Sequence, residues 1–225
     1  MVGSMSMNSA PEASALGHAE SMDRMYGLQR HIYDATRAYY LLGRDKLLRE
    51  LVVPKAGRVL EVGCGTGRNL IKAARFYPDA QFYGFDISSV MLDTAQKAVA
   101  KHGLSSRIHL SLGDATNFSA KALFGLETFE RVYISYALSM IPDWRASVAQ
   151  GLEALATGGA LHIVDFGDCA GLPSGFRRGL HGWLRQFHVT PRSELEGFLQ
   201  AQPGLHVKVQ RLFRGYAQLA IVTRS

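Results

Sequence analysis

Short apolar runs alternate with stretches of helical period through most of the chain. Strand-like runs occupy Arg58–Val62, Gln81–Phe85, Ile108–Leu112, Phe129–Tyr136 and Ala160–Phe166. Between two of them, Val90, Met91, Ala95, Ala98 and Val99 recur at helical spacing over Ser89–Lys101, and Gly103 supplies a stop. A second helix is predicted over Asp143–Leu155, with Asp143 as N-cap and Gly158-Gly159 beyond its end. Repeated strand–helix units imply a parallel, doubly wound sheet with helices on both faces. Leu205–Leu212 and Tyr216–Val222, joined by Phe213-Arg214-Gly215, read as a closing antiparallel hairpin. The pattern predicts one α/β domain with helical additions over residues 22–53 and 170–200.

Composition narrows this only a little. With 225 residues, 47% of them apolar and 20% charged, the chain suits a single soluble domain with a sizeable core. Cys64 and Cys169 stand at strand-to-loop points and read as free thiols of a cytoplasmic protein. Neither has histidine partners at metal spacing, so no metal site is expected. Residues 1–21 are rich in Ser, Ala, Met and Gly without period, which predicts a disordered tail rather than a signal peptide. No run approaches the roughly 20 apolar residues of a membrane span. A net charge of +6 suits an anionic surface or a nucleic acid equally.

The most specific feature is Val59-Leu60-Glu61-Val62-Gly63-Cys64-Gly65-Thr66-Gly67-Arg68, an apolar strand that runs through alternating glycines into a helix. Such a loop lets backbone N–H groups approach a ligand at a helix N-terminus. Asp86 closes the next strand about twenty residues on, where a carboxylate meets a ribose diol. An adenosine-type cofactor follows. A dinucleotide fingerprint would need a third glycine where Arg68 stands.

This segment resembles motif I of the class I S-adenosylmethionine-dependent methyltransferases. The resemblance implies a Rossmann-like fold, a mostly parallel seven-stranded sheet ending in an antiparallel hairpin, and S-adenosylmethionine as cofactor with S-adenosylhomocysteine as product. It also implies parts for matching positions. Gly63, Gly65 and Gly67 allow close passage of the cofactor, and Glu61 holds the loop and reaches the amino end through water. Asp86 takes the ribose hydroxyls, Ile87 packs on adenine, and Asp114 with Ala115 contacts the adenine edge. Ser135 and Tyr136 sit where methyl donor and acceptor meet. Two alternatives stay open: Asp114 also suits an Asx turn, and Tyr136 a core aromatic.

The flanking segments bear on the acceptor. Residues 22–53 suit an N-terminal helical lid, dense in tyrosine, with Arg30, His31, Arg37 and Arg44 interleaved and a stripe of Leu28, Ile32 and Ala35. Residues 170–190 suit an interfacial helix insertion: Phe176, Leu180, Trp183, Leu184 and Phe187 fall in one arc, and Arg177, Arg178, His181, Arg185 and His188 in another. Packing against the domain is the alternative for the apolar arc. The basic residues gather beside an apolar face and no aromatic strand platform is evident, so no nucleic-acid partner is expected.

Two words, Gln29–Arg37 with Tyr39-Tyr40-Leu41-Leu42-Gly43-Arg44-Asp45, and Trp183–Arg192, are similar to the bacterial diacylglyceryl-homoserine N-methyltransferases of betaine-lipid synthesis. That resemblance covers most of residues 22–222. It implies successive methylation of a lipid head-group amine to the trimethylated betaine lipid, by a cytoplasmic protein held peripherally on the inner face of an anionic membrane. His31, Tyr33 and Tyr136 are then candidates to orient the amine or move its proton, and Arg44 to hold a carboxylate. A phosphatidylethanolamine N-methyltransferase and a methyltransferase for a soluble small-molecule amine are the alternatives.

Overall fold

A computed structural model describes residues 41–187 and 189–224, apart from the side chain of His181. His31 and Tyr33, most of the expected lid, the 1–21 tail and His188 lie outside the described residues. The elements run α1 (Arg44–Glu50), β1 (Arg58–Val62), α2 (Arg68–Phe76), β2 (Gln81–Asp86), α3 (Ser89–Lys101), β3 (Ile108–Leu112), α4 (Ala120–Phe124) and β4 (Phe129–Ser135). They continue with α5 (Trp144–Glu153), β5 (Leu155–Phe166), α6 (Ser174–Gln186), α7 (Leu195–Gln200), β6 (Leu205–Leu212) and β7 (Ala217–Arg224). The strands form one seven-stranded sheet in the order β3-β2-β1-β4-β5-β7-β6. All neighbours are parallel except β5–β7 and β6–β7, which are antiparallel.

The alternating side chains of the strands divide the core into two layers. Val59, Phe82, Tyr133, Val164 and Leu219 pack under residues of α1, α2 and α3 on one face. Leu60, Val62, Phe85, Ile134, Ile163 and Ala220 pack under α5 and α7 on the other. Chain order reverses between β1 and β4, and there the carboxyl ends of the strands part to leave a crevice.

Several boundaries differ from the pattern reading, each for a physical reason. β4 stops at Ser135 because Tyr136 takes a left-handed backbone, φ 56°. β5 begins at Leu155 rather than Ala160, since Leu155 pairs with Phe129 before a register shift, and α5 accordingly stops at Glu153. In the lid region the described helix is only Arg44–Glu50, starting from left-handed Gly43. The addition over residues 170–200 is two helices, α6 and α7, of which α6 lies in the expected insertion. From Leu180 onward the apolar arc of α6 packs inward, with Leu184 buried and Leu180, Trp183 and Phe187 against the core. Only Phe176 of that arc remains largely exposed, at 58%.

Candidate cofactor and methyl-transfer site

β1 delivers Glu61 into the buried layer, and the turn behind it is shaped by three left-handed glycines: Gly63 at φ 70°, Gly65 at 53° and Gly67 at 72°. Their duties differ. A Cβ on Gly63 would lie 2.9 Å from the Ala137 Cβ, and one on Gly67 3.1 Å from the Ala95 Cβ, so these two also serve close packing. A Cβ on Gly65 would meet nothing within 4 Å. Among the described residues the backbone is thus bare at Gly65, as a ligand lying across the turn would require.

Asp86 locks this turn in shape. One carboxylate oxygen accepts from the Gly65 N–H at 2.8 Å, the other from the Ser88 N–H at 3.0 Å. A carboxylate oxygen can accept more than one hydrogen bond, so holding the loop is compatible with Asp86 also meeting a vicinal diol. The Cys64 N–H donates to the Phe85 carbonyl at 2.9 Å, and the Gly113 N–H to the Asp86 carbonyl at 3.0 Å. The ends of β1, β2 and β3 are therefore fastened side by side. Ile87 is half-buried beside them, and Ala115 is buried. Asp114 makes the Asx turn: its Oδ1 accepts from both the N–H and the hydroxyl of Thr116, each at 2.8 Å. The turn aims the carboxyl and uses only one of its oxygens.

Glu61 is fully buried. Its oxygens accept from Asn69 Nδ2 at 2.8 Å and from the Tyr133 hydroxyl at 2.9 Å. Burial pushes its carboxyl up to about 8, against the pull of those two donors and of the Arg44 guanidinium. The same burial, with Glu61 alongside, pushes the Tyr133 phenol well up. Arg44, besides donating Nε to the Leu41 carbonyl at 3.1 Å, is close enough to act electrostatically on both Glu61 and Tyr136.

At the end of β4 the Ser135 hydroxyl is buried and has no hydrogen-bond partner among the described residues. A buried hydroxyl left unpaired is costly, and a ligand group that bonded to it would remove that cost. Beside it the left-handed Tyr136 turns its ring onto Phe166, centroids 4.8 Å apart, and donates its hydroxyl to the Leu42 carbonyl at 2.5 Å. Burial, then Asp165, push that phenol well above its ordinary range. Tyr136 is therefore a tie between the lid side and the strand end, poorly suited to shuttle a proton.

The pattern reading passed over the cage around the loop that follows β4. Asp165, fully buried on β5, accepts from the Ser139 N–H at 3.0 Å and the Phe166 N–H at 2.7 Å, and burial raises its carboxyl to about 6. Arg192 donates to the Leu138 carbonyl at 3.0 Å and the Ile141 carbonyl at 2.7 Å, while the Thr190 N–H reaches the Ser139 carbonyl at 2.8 Å. Gln218 Nε2 joins the Arg192 and Phe166 carbonyls at 3.0 and 3.2 Å. A carboxylate at the end of an apolar run, His162-Ile163-Val164-Asp165, repeats the signal that singled out Asp86 and could have flagged Asp165. Among the described residues no group of three or more His, Cys, Asp or Glu could hold a metal ion.

Residues 59–159 match the family described as a methyltransferase domain. Over that span the chain carries a methyltransferase domain, and its sheet has the Rossmann-like class I methyltransferase fold. Among curated proteins it is 30% identical over 159 residues to the ubiquinone/menaquinone biosynthesis C-methyltransferase UbiE of Desulfotalea psychrophila, covering 68% of this chain and 61% of that one. It is 32% identical over 125 residues to the O-methyltransferase cnsE of Penicillium expansum, covering 54% and 44% of the two chains. The chain thus spans about two to three fifths of the length of these relatives. The fold matches that of a solved S-adenosylmethionine-dependent methyltransferase from Aquifex aeolicus with a TM-score of 0.62 at 18% identity, over 88% of this chain and 96% of that one. The cofactor of the domain is S-adenosylmethionine. The residues present fit it: bare backbone at Gly65, an acidic strand end at Asp86 and an unpaired hydroxyl at Ser135. Among the described residues no helix is long and apolar enough to cross a membrane.

Proposed function

We propose that this protein is an N-methyltransferase that successively methylates the head-group amine of diacylglyceryl-homoserine, giving the trimethylated betaine lipid at an anionic membrane surface. The observation that carries the reading is where the two words resembling that family lie. The Tyr39–Asp45 word contributes the Leu42 carbonyl that receives the Tyr136 hydroxyl, and Arg44. The Trp183–Arg192 word contributes Thr190 and Arg192, which grip Leu138, Ser139 and Ile141. Two segments distant in sequence therefore converge on the loop after β4, beside Ser135, and residues that distinguish one methyltransferase from another belong at the acceptor side.

Bound over the Gly63–Gly67 turn, S-adenosylmethionine supplies an electrophilic methyl group. The chain's own contribution is positioning. Asp86 orients the sugar, the Asn69–Glu61–Tyr133 row fixes the wall beneath the turn, and the caged 136–141 loop holds the acceptor side still; orientation of this kind is worth several kcal/mol of barrier. The tie from Tyr136 to Leu42 draws the lid side against the strand end and keeps water from the reacting groups. Arg44 is suited to a carboxylate, which homoserine head groups and the methionine part of the cofactor both carry. His31 and Tyr33 are proposed to orient the amine.

A second reading is methylation of a small-molecule carbon or oxygen centre, favoured by the names of the relatives. Supplying purified protein and labelled S-adenosylmethionine with diacylglyceryl-homoserine, phosphatidylethanolamine or a soluble amine in mixed micelles separates the readings. Label in one to three methyl groups on the first lipid alone supports the proposal. Transfer only to phosphatidylethanolamine, or only to soluble acceptors, refutes it.

A further inference from the structure

Among the large apolar side chains left exposed, Phe176 (58%) and Phe213 (54%) flank one stretch of chain. That stretch, residues 167–173, runs from β5 to α6 and is bonded to the β6–β7 turn: the Cys169 N–H donates to the Gly215 carbonyl at 2.8 Å, and the Gly171 N–H to the Arg214 carbonyl at 3.1 Å. Arg177 is near enough to act on the Cys169 thiol. Phe213 and Arg214 both take left-handed backbones, φ 53° and 58°, an unfavourable choice for two successive side chains that leaves both largely in solvent.

The exposed charges of α6 and of the β6–β7 turn are all basic. Arg177, Arg178, Arg185 and Arg214 are exposed and make no ion pair with a carboxylate among the described residues. α6 contains no acidic residue, and Asp168 nearby is taken by Arg211 at 3.6 Å. The patch also adjoins the site. A Cβ on Gly43 would lie 3.9 Å from the Phe213 ring, and Gly43 starts the helix that carries Arg44.

We propose that Phe176 and Phe213, with Arg177, Arg178, Arg185 and Arg214, form the surface by which this protein docks on an anionic lipid bilayer, the crevice mouth turned toward the lipid. Exposed rings enter the boundary between headgroups and acyl chains while arginines meet the lipid phosphates. The inference rests on the reading that the acceptor is a lipid, but its test does not use the acceptor. The protein is co-sedimented with vesicles of phosphatidylcholine alone and of phosphatidylcholine mixed with phosphatidylglycerol, neither of which carries a methylatable amine.

Binding is expected to the anionic vesicles only, and to weaken as ionic strength rises from about 0.1 to 1 M. Each arginine changed to glutamine should lower partition about fivefold, and Phe176→Ser with Phe213→Ser about tenfold or more. Thermal melting of each variant checks that it folds, and Arg178→Glu, a change at an exposed position, keeps the test available if the phenylalanine pair does not. Equal binding to neutral vesicles overturns the proposal, as does wild-type binding by the arginine variants. So does a patch-dependent dimer or retention of RNA in the absence of vesicle binding. Vesicle binding with no transfer to any lipid would leave the docking surface standing and remove the acceptor reading.

Discussion

Glu61 makes the protein's stability fall as pH rises through the neutral range. In the unfolded chain its carboxyl titrates at the ordinary 4.5, whereas in the fold burial holds it at about 8. Between those values the unfolded chain is ionised there and the fold is not, so folding takes up a proton. The contribution is fully present below pH 4.5, declines through the interval and is gone above pH 8. At 1.36 kcal/mol per pH unit the loss across that window is at most about 5 kcal/mol, of which about 3 kcal/mol is lost by pH 7. Two other buried groups overlap it: Asp165, raised to about 6, acts in the same direction, and His162, lowered to about 4 by burial, acts oppositely between pH 4 and 6.5. Comparison with Glu61→Gln isolates the one group. The amide oxygen can still accept from Tyr133, and its NH2 can donate to Asn69 once that amide is reversed. Melting curves at matched pH should show wild type and variant converging near pH 4.5 and the variant gaining roughly 10 °C or more by pH 8. Parallel curves across that range would refute the reasoning.

Other predictions follow the geometry. Gly65→Ala should cost about 1 kcal/mol of stability for the left-handed backbone and weaken cofactor binding more than tenfold, whereas Gly67→Ala, facing Ala95, should lose more stability; chemical denaturation and calorimetry distinguish the two. Tyr136→Phe removes the bond to Leu42 and should lower turnover with nearly unchanged cofactor affinity; unaltered turnover would mean that the tie is dispensable. Asp165→Asn, which sets an NH2 donor against one of the two N–H groups that the carboxylate accepts from, should loosen residues 136–141 and speed their amide hydrogen exchange, with little change around Gly63–Gly67.

Much of this architecture was legible because its signals are local. The period of Ser89–Lys101 and its glycine stop match a helix with the same ends, and the glycine turn singled out with Asp86 is bonded to it through the Gly65 N–H. The boundaries missed were set by partners far along the chain. Leu155 became strand by pairing with Phe129, and Tyr136 left the strand through a strained backbone tied to Leu42. The apolar arc of α6 had two explanations in sequence, and packing accounts for all of it except Phe176. Arg192 looked like part of a family word; only the fold reveals that it holds carbonyls about fifty residues earlier in the chain.

The central claim is that the Gly63–Gly67 turn and Asp86 receive S-adenosylmethionine, and isothermal titration calorimetry tests it directly. Wild-type protein should bind S-adenosylmethionine and S-adenosylhomocysteine and ignore NADH. Asp86→Ala should weaken both by ten- to a hundredfold, as expected for the loss of charged hydrogen bonds worth about 1.5–3 kcal/mol. No heat with either sulfur ligand while NADH binds, or equal affinity in a folded Asp86→Ala, would contradict the account.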